Sequence, residues 1–142
     1  MADIRHSLQI AAPAEAIHPM VSTAAGLAAW WAEDVVETGG AIELGFFNRQ
    51  TLYRLRAQTS HSTERVEWLC ETGNEWAGTR LIFELGAAPH PTLVRFTHAG
   101  WQAETDYFIS CNTVWGELLF RLKAAAEGKP RGPLFLRNGL GY

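Results

Sequence analysis

Two histidines carry the most chemical promise in this sequence. His6 stands among Ile4, Leu8 and Ile10, and His98 follows Val94 and Phe96, so each occupies the apolar side of an alternating segment. An imidazole placed there either makes quiet hydrogen bonds or orients a polar group of a ligand, and it can act as acid or base near neutral pH. No metal or cofactor is expected. His6, His18, His61, His90 and His98 lack ligand-like spacing, and Cys70 and Cys111 are isolated thiols without a Cys-x-x-Cys pattern. Cys111 falls on the apolar stripe of an expected helix, where a thiol is inert packing. No Gly-x-Ser-x-Gly elbow or glycine-rich phosphate loop is present, and Gly39-Gly40 precedes strand-like residues, so it makes a turn. Glu104 and Asp106 suit the start of a helix, whose dipole favours negative charge. Glu67, Glu71 and Glu84 share the polar faces of their strands, as do Arg54 and Arg56. No catalytic carboxylate pair emerges.

The elements that must position these groups follow from periodicity. Residues 3–11 alternate as a strand with one wet face. Pro13 suits the first turn of a helix, Pro19 should end or bend it, and Ser22 or Thr23 can cap a second short helix ending in Trp30-Trp31. Alternation then recurs at Ile42-Leu44-Phe46, Tyr53-Leu55-Ala57, Val66-Trp68-Cys70, Leu81-Phe83-Leu85 and Val94-Phe96-His98. Breaks at Asn48, Ser60-His61-Ser62, Gly73-Asn74 and Ala88-Pro89-His90-Pro91 are short enough for antiparallel neighbours. From Thr105 or Asp106 to Glu127 the period becomes that of one helix, roughly 33 Å long. Its apolar stripe is Phe108, Cys111, Trp115, Leu118, Leu119 and Leu122, and Gly128 and Pro130 stop it. The expectation is an α+β fold, a curved antiparallel sheet wrapped around a long C-terminal helix, with two short helices after the first strand.

The 142 residues fit a single domain, residues 1–128, followed by a Gly-, Pro- and Arg-rich tail, 129–142, laid over the domain or mobile. A formal charge of -3 with scattered Lys and Arg, the densest group being Arg49, Arg54 and Arg56, argues against a nucleic-acid surface. No apolar run is long enough to span a bilayer. The lack of a signal-like start and the unpaired thiols point to the cytoplasm. The six Trp, seven Phe and three Tyr exceed what a small core usually needs. Trp76 falls in a turn without an evident role.

Four local patterns add a family likeness. Ile10-Ala11-Ala12-Pro13, Gly26-Leu27-Ala28-Ala29-Trp30-Trp31, Thr97-His98-Ala99-Gly100-Trp101, and Trp115 with Leu118, Leu119, Leu122-Lys123 and Glu127-Gly128 occur in that order over residues 3–128. Together they resemble the SRPBCC (START-like, helix-grip) superfamily, and within it the branch related to the activator of the ninety-kilodalton heat-shock chaperone ATPase. Pro19 departs from that pattern, which keeps a continuous first helix. The resemblance implies a ligand cavity between the concave sheet and the long helix, without implying a particular reaction. By strand and helix parity its lining would include Trp30 or Trp31 at the mouth, Phe46, Tyr53, Trp68, Phe83, Phe96, Phe108, Cys111 and Trp115. His98, and with it His6 on a neighbouring strand, would be the polar pair. The favoured reading is binding of a small hydrophobic or aromatic molecule. The alternatives are a chaperone-cofactor-like interaction domain, with a protein partner or as a homodimer, and a polyketide cyclase or dehydratase needing an acid–base pair in an open cavity.

Overall fold

The computed structural model describes residues 1–58, 63–86 and 91–141. The expected breaks at Ser60-His61-Ser62 and at Ala88-Pro89-His90, and with them His61 and His90, lie outside the described residues. The alternating N-terminal segment is β1 (Ala2–Ile10), followed by α1 (Ala14–Ser22) and α2 (Ala24–Ala28). Six strands come next: β2 (Asp34–Thr38), β3 (Ala41–Phe46), β4 (Thr51–Ala57), β5 (Arg65–Cys70), β6 (Arg80–Leu85) and β7 (Thr92–Trp101). The 21-residue α3 (Asp106–Ala126) follows, capped by the Thr105 hydroxyl accepting from the Phe108 N–H. The chain closes with β8 (Phe135–Leu136) and β9 (Gly139–Leu140).

The seven longer strands form one antiparallel sheet in the order β1-β7-β6-β5-β4-β3-β2, and α3 lies across its concave face. This is the expected α+β helix-grip arrangement. The period-two residues Ile42, Leu44, Leu55, Leu81, Phe83, Val94 and Phe96 all turn into one buried core. The opposite face is charge-paired: Arg54 and Arg56 share Glu71 at 3.2 and 2.7 Å, and Arg65 and Arg80 share Glu67 at 2.9 and 2.6 Å.

Three local features differ from the sequence reading. Pro19 neither ends nor visibly divides α1, which continues to Ser22. The carbonyls of its last turn are taken by side chains instead: Thr23 Oγ1 donates to Pro19 O, and the Trp30 and Trp68 indoles donate to Met20 O and Val21 O. Second, α2 stops at Ala28, before Trp30-Trp31, which frees the two rings from helical spacing. It packs so tightly on α1 that a Cβ on Gly26 would sit 2.1 Å from Pro19 O, so only glycine fits there. Third, β2 is an additional edge strand, its Val35 opposite Leu44 of β3, and the tail contributes the β8–β9 hairpin.

Candidate functional site

The face of α3 that meets the sheet is set by Cys111, Trp115 and Leu118, which recur at helical spacing and are all buried. Beneath the N-terminal half of that face, between the contacts of Tyr107 with Tyr53 and of Trp115 with His98, the sheet and helix leave a gap. The gap is a cavity of about 320 Å³ lined by Trp31, Phe46, Phe47, Thr51, Tyr53, Trp76, Tyr107, Ser110, Cys111, Val114, Trp115, Leu118 and Phe135. Of the residues expected there from parity, Trp31, Phe46, Tyr53, Cys111 and Trp115 line it. Trp30, Trp68, Phe83, Phe96, His98 and Phe108 lie outside the lining.

Those six are buried for a different reason. Trp30 and Trp68 are bound to the end of α1, and Trp30 meets Phe83 edge-on at 6.3 Å, so α1 and α2 fill their share of the concave face. Phe96 packs under Trp115 at 4.3 Å, and Phe108 stands at 89° against Trp101 at 5.2 Å. Strand parity identifies the inward face but not which stretch of it another element fills.

His98 is fully enclosed, and both ring nitrogens are used. The Trp115 indole N–H donates to Nδ1 at 3.1 Å, so the ring carries its proton on Nε2. That N–H faces Thr79 Oγ1 at 2.8 Å, and Thr79 in turn donates to Trp76 O at 2.6 Å. Burial without an acidic partner pushes the imidazole down to about 3, so it is neutral near pH 7. His98 thus positions two cavity walls, Trp115 and the Trp76 turn. His6 takes a separate partner: its Nε2 pairs with Asn112 Oδ1 of α3 at 2.8 Å. The register puts Ile4, not His6, opposite His98.

Trp76, which sequence parity could not place, is the hub of the wall. Its ring stacks on Tyr53 at 4.1 Å and 7°, lies 6.0 Å from Trp115 at 19°, and reaches Trp31 at 6.1 Å. The turn that carries it depends on Gly73 (φ +117°), where a Cβ would fall 2.5 Å from the Tyr53 ring. Gly73-Asn74 was legible as a turn, and a tryptophan inside a glycine-marked turn was the available signal.

The tail adds one residue to the lining, Phe135. Phe135 N donates to Trp31 O at 3.0 Å, Glu33 N donates to Phe135 O at 2.8 Å, and the Phe135 ring stands at 90° to Phe46. Arg121, a buried cation of α3, forks onto the carbonyls of Gly132 (3.1 Å) and Gly141 (2.9 Å) and pairs with Glu117 at 3.0 Å. Beside the tail lies the β3–β4 turn, where Phe47, Asn48 and Arg49 are successive left-handed residues (φ 53°, 56° and 67°). Arg49 paired with Asp34 of β2 at 2.9 Å and Asn48 N donating to Arg137 O at 2.6 Å fasten that strained turn to β2 and to the tail.

The titratable groups in the lining are Tyr53, Tyr107 and Cys111, and burial raises all three, Tyr107 to about 12. They stay protonated near pH 7 and serve as donors, not bases. Among the described residues no three His, Cys, Asp or Glu side chains converge as a metal site requires, and no helix is long and apolar enough to cross a membrane. Cys70 and Cys111 are buried and unbridged.

No protein-family model and no curated protein matches the sequence. Solved structures do. The solution structure of the Aha1 dimer from Colwellia psychrerythraea is 32% identical, with a TM-score of 0.79 over 91% of this chain and 98% of that one. A crystal structure of a Staphylococcus saprophyticus protein is 14% identical, with a TM-score of 0.71 over 99% of this chain and all of that one. A protein of the dynemicin biosynthetic locus, also 14% identical, has a TM-score of 0.71 over 95% of this chain and 51% of that one. The last two likenesses concern the fold alone.

Proposed function

The chain belongs to the SRPBCC superfamily, on its Aha1-like branch, and from that premise we propose that it binds a small hydrophobic or aromatic molecule in the cavity between sheet and α3. The observation that carries this reading is the unfilled space itself, about 320 Å³ bounded by Trp31, Phe46, Tyr53, Trp76 and Trp115. Protein cores pack to crystal-like density, because every unfilled volume forgoes dispersion contacts. A chain that needed only a core had the rings to close this gap, yet it aligns them around it. The size and apolar lining with a few polar groups match those of small-molecule sites. No lining side chain is a base near neutral pH, which favours holding a ligand over a cyclase or dehydratase step. The two unbridged thiols fit a reducing compartment such as the cytoplasm.

A second reading, an interaction domain or homodimer, is favoured by Ile109 and Phe120, which are 57% and 59% exposed on the outer face of α3. The similar Colwellia protein forms a dimer. One experiment separates the readings. Native mass spectrometry of the protein purified from its own host should show monomer mass plus a small co-purifying adduct. A bare dimer under every growth condition would favour the interaction reading instead.

A further inference from the structure

We propose that the cavity selects an uncharged, flat ligand of two to three fused rings that presents a hydrogen-bond acceptor oxygen, such as a ketone carbonyl, to the Tyr107 hydroxyl. The inference deepens the ligand-binding reading and rests on it. Three observations converge. The first is charge: among the described lining residues none is Lys, Arg, Asp, Glu or His. An ionised ligand would be stripped of water with no counter-charge, a cost of several kcal/mol.

The second is shape. Tyr53, Trp76 and Trp115 lie in near-parallel planes, 7° and 19° apart, with Tyr53 and Trp76 covering one another's faces at 4.1 Å, so this layered wall meets a ligand with ring edges and outermost faces, apolar contact that suits an aromatic molecule. The volume of about 320 Å³ is about twice that of a roughly 150 Å³ apolar cavity that accepts benzene.

The third is a surplus of donors. The Tyr53 and Tyr107 hydroxyls are bonded to one another, which uses one of their two protons, and the spare O–H has beside it only the Cys111 sulfur, a weak acceptor. The Trp76 indole N–H is buried without a hydrogen-bond partner, and it too comes near the same sulfur. Two strong donors thus converge on one poor acceptor at the cavity wall. An oxygen delivered there by a ligand replaces a weak contact with a strong one, and an alkyl group does not.

The test is isothermal titration of the intact protein with three near-isosteric probes: 2-acetylnaphthalene, 2-ethylnaphthalene and 2-naphthoate. The ketone should bind roughly tenfold tighter than the hydrocarbon, the difference one good hydrogen bond makes, and the carboxylate should bind weakest. Tyr107→Phe combined with Tyr53→Phe, so that no freed hydroxyl substitutes for the lost one, should erase the ketone's advantage while changing 2-ethylnaphthalene affinity less than twofold. Tyr53→Phe, which leaves the Tyr107 hydroxyl in place, should retain it. Equal binding of ketone and hydrocarbon, or tightest binding of the carboxylate, overturns the proposed selectivity and leaves the cavity reading standing. Binding of none of the three overturns the cavity reading and this inference with it.

Discussion

His98 has no solvent to turn to and no acid beside it, so protonation would break its bond from Trp115 and leave a buried charge. Its folded pKa, about 3, lies below the unfolded value of about 6.5. The unfolded chain therefore binds the extra proton between those values, and the stability due to neutral His98 is complete above pH 6.5 and lost as pH falls. Urea unfolding at pH 7, 6 and 5 should show stability falling with a slope that approaches about 1.4 kcal/mol per pH unit. Glu67 and Glu71, held below the usual carboxylate range by their arginine partners, stay charged in the folded protein from pH 7 to 5. His98→Gln should flatten the slope, and an unchanged slope in that variant would assign the acid sensitivity elsewhere. The inward placement of His98 was legible, because it alternates with Val94 and Phe96. Its partners were not, since Thr79 and the Trp76 turn meet it only once β6 pairs with β7. Trp76 shows the same limit: alternation says nothing about a side chain carried on a turn.

At the scale of elements, periodic segments were readable and aperiodic ones were not. β7 and α3 declare themselves because nearly every inward position is apolar over ten or more residues. β2 does not, because beyond Asp34 and Val35 it faces solvent at the sheet edge. The β8–β9 hairpin hides in a Gly- and Pro-rich stretch whose deep anchor among the described residues is Leu134. That hairpin is nevertheless part of the cavity wall, through Phe135 against Phe46 and Phe47. Phe135→Ala should cost about 1–3 kcal/mol of stability. More tellingly, it should shorten the residence time of bound 2-acetylnaphthalene in a stopped-flow displacement measurement. Residence unchanged by that substitution would mean the ligand neither enters past the hairpin nor rests on it.

For the molecule as a whole, the order of periods and four short motifs were enough to specify sheet, long helix and their packing. The location of the cavity was not, because it depends on a balance of volumes. α1 and α2 fill one end of the concave face with Trp30 and Trp68 bound to carbonyls of α1, and α3 and the tail span the other end without closing it. The same architecture links Trp30, Trp31, Trp76, Trp101 and Trp115 into a chain with neighbouring ring centroids between 5.0 and 6.5 Å. At such separations, excitation absorbed by one indole passes freely to the next. Optically, the wall is one antenna. A single light-absorbing acceptor seated beside Trp31, Trp76 and Trp115 should therefore darken five of the six tryptophans together, and the protein reports its own occupancy as the near-collapse of its ultraviolet emission.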